Sequence, residues 1–238
     1  MSTWSIEETH SHIKRLFGRT QLELARPSLR SVADRQNYAS YHYHEAKHLF
    51  DTFTAKHLAE SRLIKVVFSE DDDIRSEFDL FMIKVGANVL ACIQSMHAVG
   101  DILAHATYYS LGMNQTADAL KESAITSTSV LERLSRSVEL EPVHRLLKNL
   151  VVGGDFSHLS ALANQGKHRS IIRPSLSEDW TGLAAERHQL KLEAFTYKTH
   201  SYPATSAREF LEAEFNRSGR LVVEIGNAIN DVLQQRVP

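Results

Sequence analysis

With 238 residues, 42% of them hydrophobic and 24% charged, the chain has the balance of a globular protein with a real core, in one large domain or two small ones. Its 27 lysines and arginines against 29 aspartates and glutamates leave a net charge of −2, which excludes a strongly basic nucleic-acid binder but not a local basic patch. The single cysteine, Cys92, excludes an internal disulfide; its apolar surroundings predict a small buried hydrophobe and fit a reducing compartment.

The first residues, Met1 to Glu8, are acidic and lack the plan of a signal peptide. Ser5 to Leu16 reads as a short amphipathic helix marked by Ile6, Ile13, Leu16 and Phe17. Pro27 suits a first helical turn, so a long helical stretch is predicted from there to about Phe68. The run Glu70-Asp71-Asp72-Asp73 interrupts it and supplies carboxylates to cap the next helix. That helix covers Phe78 to Met113 and stops at Gly112-Met113-Asn114. Its apolar run around Phe78 to Met96 is interrupted by Asp79 and Lys84, which makes it a poor membrane span. Cytoplasmic residence without a membrane partner is the expectation.

A polar connector follows, then short helices over Ser129–Val138 and from Glu141-Pro142 to Val152, where Gly153-Gly154 breaks the second. Asp155 is placed to cap a helix that ends at His168. Gln189 to Lys198 alternates polar and apolar residues and reads as a strand, with Ile171–Leu176 as its partner. Helix returns near Thr205 and is marked by Phe210, Leu211, Phe215, Leu221, Val222, Ile225, Ile229 and Leu233. The expected fold is mainly α: an antiparallel helical bundle with a small β-hairpin before the last helix. It forms one domain over 1–238, with N-terminal helices in 1–70, a bundle core in 71–238 and the hairpin near 171–200.

The most distinctive local pattern lies in the long central helix. Steps of four through Val85, Val89 and Ile93 lead to His97, Asp101 and His105, so a polar stripe takes over from an aliphatic one. Buried, such groups need partners. The proposed supplier is the cluster Asn164-Gln165-Gly166-Lys167-His168-Arg169 at the end of a later helix. His105 and His168 are the acid/base candidates, and His97, Asp101, Asn164, Lys167 and Arg169 the ligand-binding ones. Two imidazoles and a carboxylate one turn apart also suit a metal. Equally, Asp101 could satisfy neighbouring histidines inside a bundle with no ligand at all, and cations at a helix end complement its dipole.

Two weaker patterns lie earlier. His44-Glu45-x-x-His48 is formally the zinc-protease helix motif. Lys47 puts a cation among its metal-facing residues, no Gly-x-x-His follows, and 13 histidines make a chance match unsurprising, so an exposed histidine-rich face is the preferred reading. Arg35 and His42, with six residues between them, would place an anion-holding arginine near a base.

The stretch Gln94 to His105, followed by Asn164 to Arg169, resembles an uncharacterised bacterial family in the HEPN-like (higher eukaryotes and prokaryotes nucleotide-binding) superfamily. The resemblance spans roughly residues 75 to 235 in order of elements. It implies an antiparallel helical bundle, frequent homodimers and a habit of RNA cleavage or nucleotide binding. The superfamily's ribonucleases carry an arginine, a polar residue and then a histidine, usually late in the bundle. Here that spacing falls at Arg35, Gln36 and His42, early in the chain. Two functions stay open: a module that binds or cleaves RNA or binds a nucleotide, with no cofactor expected, and a non-catalytic interaction module whose polar cluster is a buried network.

Overall fold

The computed structural model describes residues 3–237. They are 71% helical, in seven α-helices with a small antiparallel strand cluster before the last, consistent with a helical bundle. The elements are α1 (Ile6–His57), α2 (Leu63–Val67), α3 (Asp72–Ser110), α4 (Ser127–Leu134), α5 (Glu141–Val151), α6 (Gly154–His168), β1 (Pro174–Glu178), β2 (His188–Leu192), β3 (Phe195–Tyr197), β4 (His200–Tyr202), β5 (Thr205–Ser206) and α7 (Ala207–Gln235). No helix among the described residues is long and apolar enough to cross a membrane. The chain divides into two compact units: the first holds residues up to Asn37, Met96–Ser157 and Asn216 onward, and the second holds Tyr38–Ser95 and His158–Phe215.

In the first unit, Ile13, Leu29, Leu103, Leu134, Leu147, Ile225 and Ile229 are among the fully buried core residues. Gly18, at φ 84 and ψ 177, breaks α1 where only glycine sits without strain. The segment before it runs parallel to the end of α7: Thr9 Oγ1 donates to Asn230 Oδ1 at 2.6 Å and Arg15 Nη2 to the Leu233 carbonyl at 2.7 Å. Pro27 lies inside α1 rather than opening it; it is exposed, and the helix has already resumed after Gly18. Gly112, at φ +69, ends the α3 region against the Phe17 ring. Thr126 and Ser129 form a capping box on α4, and Pro142 occupies the first turn of α5.

In the second unit, α1 and α3 are antiparallel, since Cys92 Sγ donates to the Ala39 carbonyl, His42 meets Asn88 and Lys56 pairs with Glu77. Phe53 and Phe81 stack at 4.2 Å between centroids. Burial pushes the Cys92 thiol up to about 12. Asp71 Oδ1 accepts the Asp73 and Ile74 N–H groups at 2.9 and 3.4 Å, so the acidic run does cap α3.

The long N-terminal helix ends at His57 instead of continuing to Phe68. Glu178, far along the chain, accepts the Leu63 N–H at 2.9 Å and so starts the separate helix α2. The predicted strand Gln189–Lys198 is two strands. β2 joins β1 and β5 in a three-stranded antiparallel sheet, Leu176 opposite Leu190 and Leu192 opposite Thr205. β3 pairs with β4 in a separate hairpin, Tyr197 opposite His200. The alternation persists on both sides of the corner at Glu193-Ala194, so period alone does not reveal it.

Candidate nucleic-acid interface

His97, Asp101 and His105 belong to the first unit, and Asn164, Lys167, His168 and Arg169 to the second. Asp101 is exposed rather than buried, and its Oδ1 accepts the Ser127 N–H at 3.1 Å, at the start of α4. Helix geometry explains the difference. A step of four residues overshoots a full turn by about 40°, so four steps from Val85 carry Asp101 about 160° around the helix. The buried track follows the true period instead, through Val85, Val89, Cys92, Met96, Val99 and Leu103. On that track Gly100 admits Val151, whose Cγ1 would lie 2.7 Å from an added Cβ. The His97 ring stacks on Phe156, with centroids 5.8 Å apart and planes at 7°. His105 is half-buried.

Among the described residues no group of three or more histidines, cysteines or acids is gathered so as to hold a metal ion. That covers His97, Asp101 and His105 as well as His44, Glu45 and His48; His44 and His48 are exposed. His42 is the oriented imidazole of this region. Asn88 gives its amide N–H to the Lys84 carbonyl at 2.9 Å, leaving Oδ1 to accept from His42 Nδ1 at 2.8 Å.

The second group sits where α6 ends. Asn164 is turned back onto Ser160, its Nδ2 donating to Oγ at 3.1 Å, while Lys167, His168 and Arg169 are exposed. The β3–β4 hairpin brings Tyr197 to this helix end: the Arg169 guanidinium lies 5.4 Å from the ring centroid and the Lys198 ammonium 5.5 Å. Lys198 holds φ 55 at the hairpin tip. Lys167, Arg169, Arg173 and Lys198 form no ion pair with a carboxylate among the described residues. Of the acids nearest them in sequence, Glu178 pairs with Arg187 and Glu193 is bound by the Ser175 hydroxyl. Lys167 and His168 offset the negative end of α6, whereas Arg169 and Lys198 lie beyond it. Sequence reasoning missed Tyr197 and Lys198. The strand pattern contained both but could not show that their hairpin returns to α6.

Two other histidines of this unit make it sensitive to acid. His158 is packed among Tyr202, Phe210 and Phe195, with centroids 4.9, 4.8 and 5.9 Å away, and burial lowers its pKa. His188 is lowered by burial and by Arg187, with Glu178 opposing. In both cases the unfolded chain binds the proton more readily than the folded one. Their neutral forms cost nothing above the ordinary histidine value of about 6.5, and stability falls as pH drops below it. Thermal unfolding at pH 5 should therefore begin earlier than at pH 7.5, and replacing His158 with phenylalanine should narrow the gap.

Comparison with protein-family models, with curated proteins and with solved structures finds no match for this chain.

Proposed function

We propose that the chain is a HEPN-like RNA-binding module, and that the α6 end and the β3–β4 hairpin take the phosphates. The observation that carries this reading is the Tyr197 ring approached by both Arg169 and Lys198, at the end of the helix whose last turn carries Lys167 and His168. Cations free of carboxylates, interleaved with an aromatic ring, are what a phosphate chain with stackable bases requires. Four unpaired basic side chains exceed what one mononucleotide phosphate needs, which favours RNA over a nucleotide. Acid/base catalysis by His105 or His168 is not part of the proposal, because neither is held by an orienting partner as His42 is.

Fluorescence anisotropy with a short labelled RNA tests the reading. Binding should weaken steeply with salt, and the Arg169→Ala/Lys198→Ala pair should lower the slope of log affinity against log salt by about two. Wild-type protein that does not bind, or a double variant with an unchanged slope, overturns it.

A cytoplasmic homodimer belongs to the same proposal. Leu80 and Ile83, one turn apart on α3, are exposed, as are Tyr38 and Tyr41 on α1. Sedimentation velocity should give twice the chain mass, and Ile83→Glu should return the monomer.

A further inference from the structure

Trp180 lies in the loop between β1 and β2 and remains 62% exposed, although the Arg62 guanidinium sits 4.7 Å from its ring centroid. Arg62 is held from both sides. The preceding carbonyl, Ser61 O, accepts from Arg187 Nη2 at 3.2 Å, and the following N–H, on Leu63, donates to Glu178 Oε2 at 2.9 Å. Arg187 and Glu178 pair with each other at 2.7 Å, and the Glu178 side chain is only 4% exposed. A buried carboxylate thus fixes the backbone around an exposed arginine and tryptophan.

The loop carrying the ring is fixed as well. Asp179 accepts the Thr181 N–H and hydroxyl at 3.1 and 2.7 Å and the Ala184 N–H at 2.9 Å. Together they wall a cleft of about 570 Å³. Arg62 and Arg187 balance Glu178 and Asp179, so the cleft does not attract a phosphate. Arg62 already occupies the seat a cationic ligand would take on the ring. What remains is a flat, neutral, stackable group.

We infer that Trp180, backed by Arg62, is a stacking platform for one unpaired base of single-stranded RNA. The inference rests on the RNA-binding reading above and adds to it the substrate class: single strand rather than duplex, whose bases are already stacked on one another. β1 separates the two places, with Arg169 and Arg173 before its first residue and Trp180 beyond its last. Five extended residues span about 17 Å, so a short single strand with one base on Trp180 has a phosphate within reach of Arg173, next to the first residue of β1.

The test compares a labelled single-stranded RNA with a blunt duplex of the same sequence on the intact protein. Trp180→Ala should weaken single-strand binding about tenfold, leave the salt slope unchanged and leave duplex binding as it was, while Trp180→Phe retains most of the affinity. An exposed side chain makes the variant's fold easy to verify by circular dichroism. If Trp180→Ala binds the single strand like wild type while Arg169→Ala/Lys198→Ala does not, the platform is refuted and the RNA-binding reading stands. Equal losses on single strand and duplex also refute it. Failure of the wild-type protein to bind either RNA removes both.

Discussion

Gly226→Ala should destabilise the first unit by about 2 kcal/mol, although alanine is ordinarily the better helix former by up to about 1 kcal/mol. Gly226 is buried in α7, and a Cβ there would fall inside the Trp4 indole. The indole cannot swing aside cheaply. Its Nε1 donates to Thr9 Oγ1 at 2.9 Å, Thr9 in turn holds Asn230, and Asn230 Nδ2 donates to the Ser5 carbonyl at 3.1 Å. Thr9 is fully buried and Asn230 nearly so, so releasing the ring would strand polar groups away from water. A double-mutant cycle read by urea unfolding is decisive. With Trp4→Ala as the background the clash disappears, and Gly226→Ala should become neutral or stabilising by up to about 1 kcal/mol. A loss of the same size in both backgrounds would show that the contact with Trp4 is not the cause.

Replacing Glu178 with alanine should cost the second unit about 2 to 3 kcal/mol. The carboxylate accepts from Arg187 and from the Leu63 N–H, the donor at the start of α2, and its loss leaves both without this acceptor. Arg187 is 44% exposed and can turn to water, which keeps the loss below that of a fully enclosed pair. Glu178→Gln preserves shape and one acceptor, so it should lose less. Burial pushes the Glu178 carboxyl up, but Arg187 and the Leu63 N–H outweigh it and hold the group below its usual range. Its stabilisation is therefore complete at neutral pH and is lost as pH falls below about 4.3 and through the folded value. Alanine at 178 should abolish that part of the acid dependence. It should also weaken single-strand RNA binding as Trp180→Ala does, because Ser61 and Leu63 no longer clamp Arg62. Unchanged stability would show that the sheet holds α2 without this carboxylate.

Much of the fold was legible in the chain itself, because it depends on neighbours in sequence. Asp71 caps α3 through N–H groups two and three residues on, Gly112 ends the helical run with a conformation other residues avoid, and Pro142 opens α5. The change of period near residue 171 correctly announced strands before the last helix. Of the candidate site, Lys167, His168 and Arg169 could be read as a basic helix end, a local property; that they are exposed could not.

The remainder depended on partners distant in sequence. The four-residue stripe placed Asp101 inside, yet the drift of the α-helix carries it to the surface, where Ser127 takes it up. Nothing near Leu63 signals that α1 must stop; a carboxylate 115 positions later supplies the acceptor that starts α2. Tyr197 and Lys198 read as one end of a strand, and Arg62 and Trp180 gave no sequence signal at all. Residue types and periods determined that this chain is a helical protein with a small sheet and a basic helix end. Which side chains meet depended on tertiary packing, because a hydrogen bond or a cation over a ring acts across a few ångströms and takes no account of how much chain lies between.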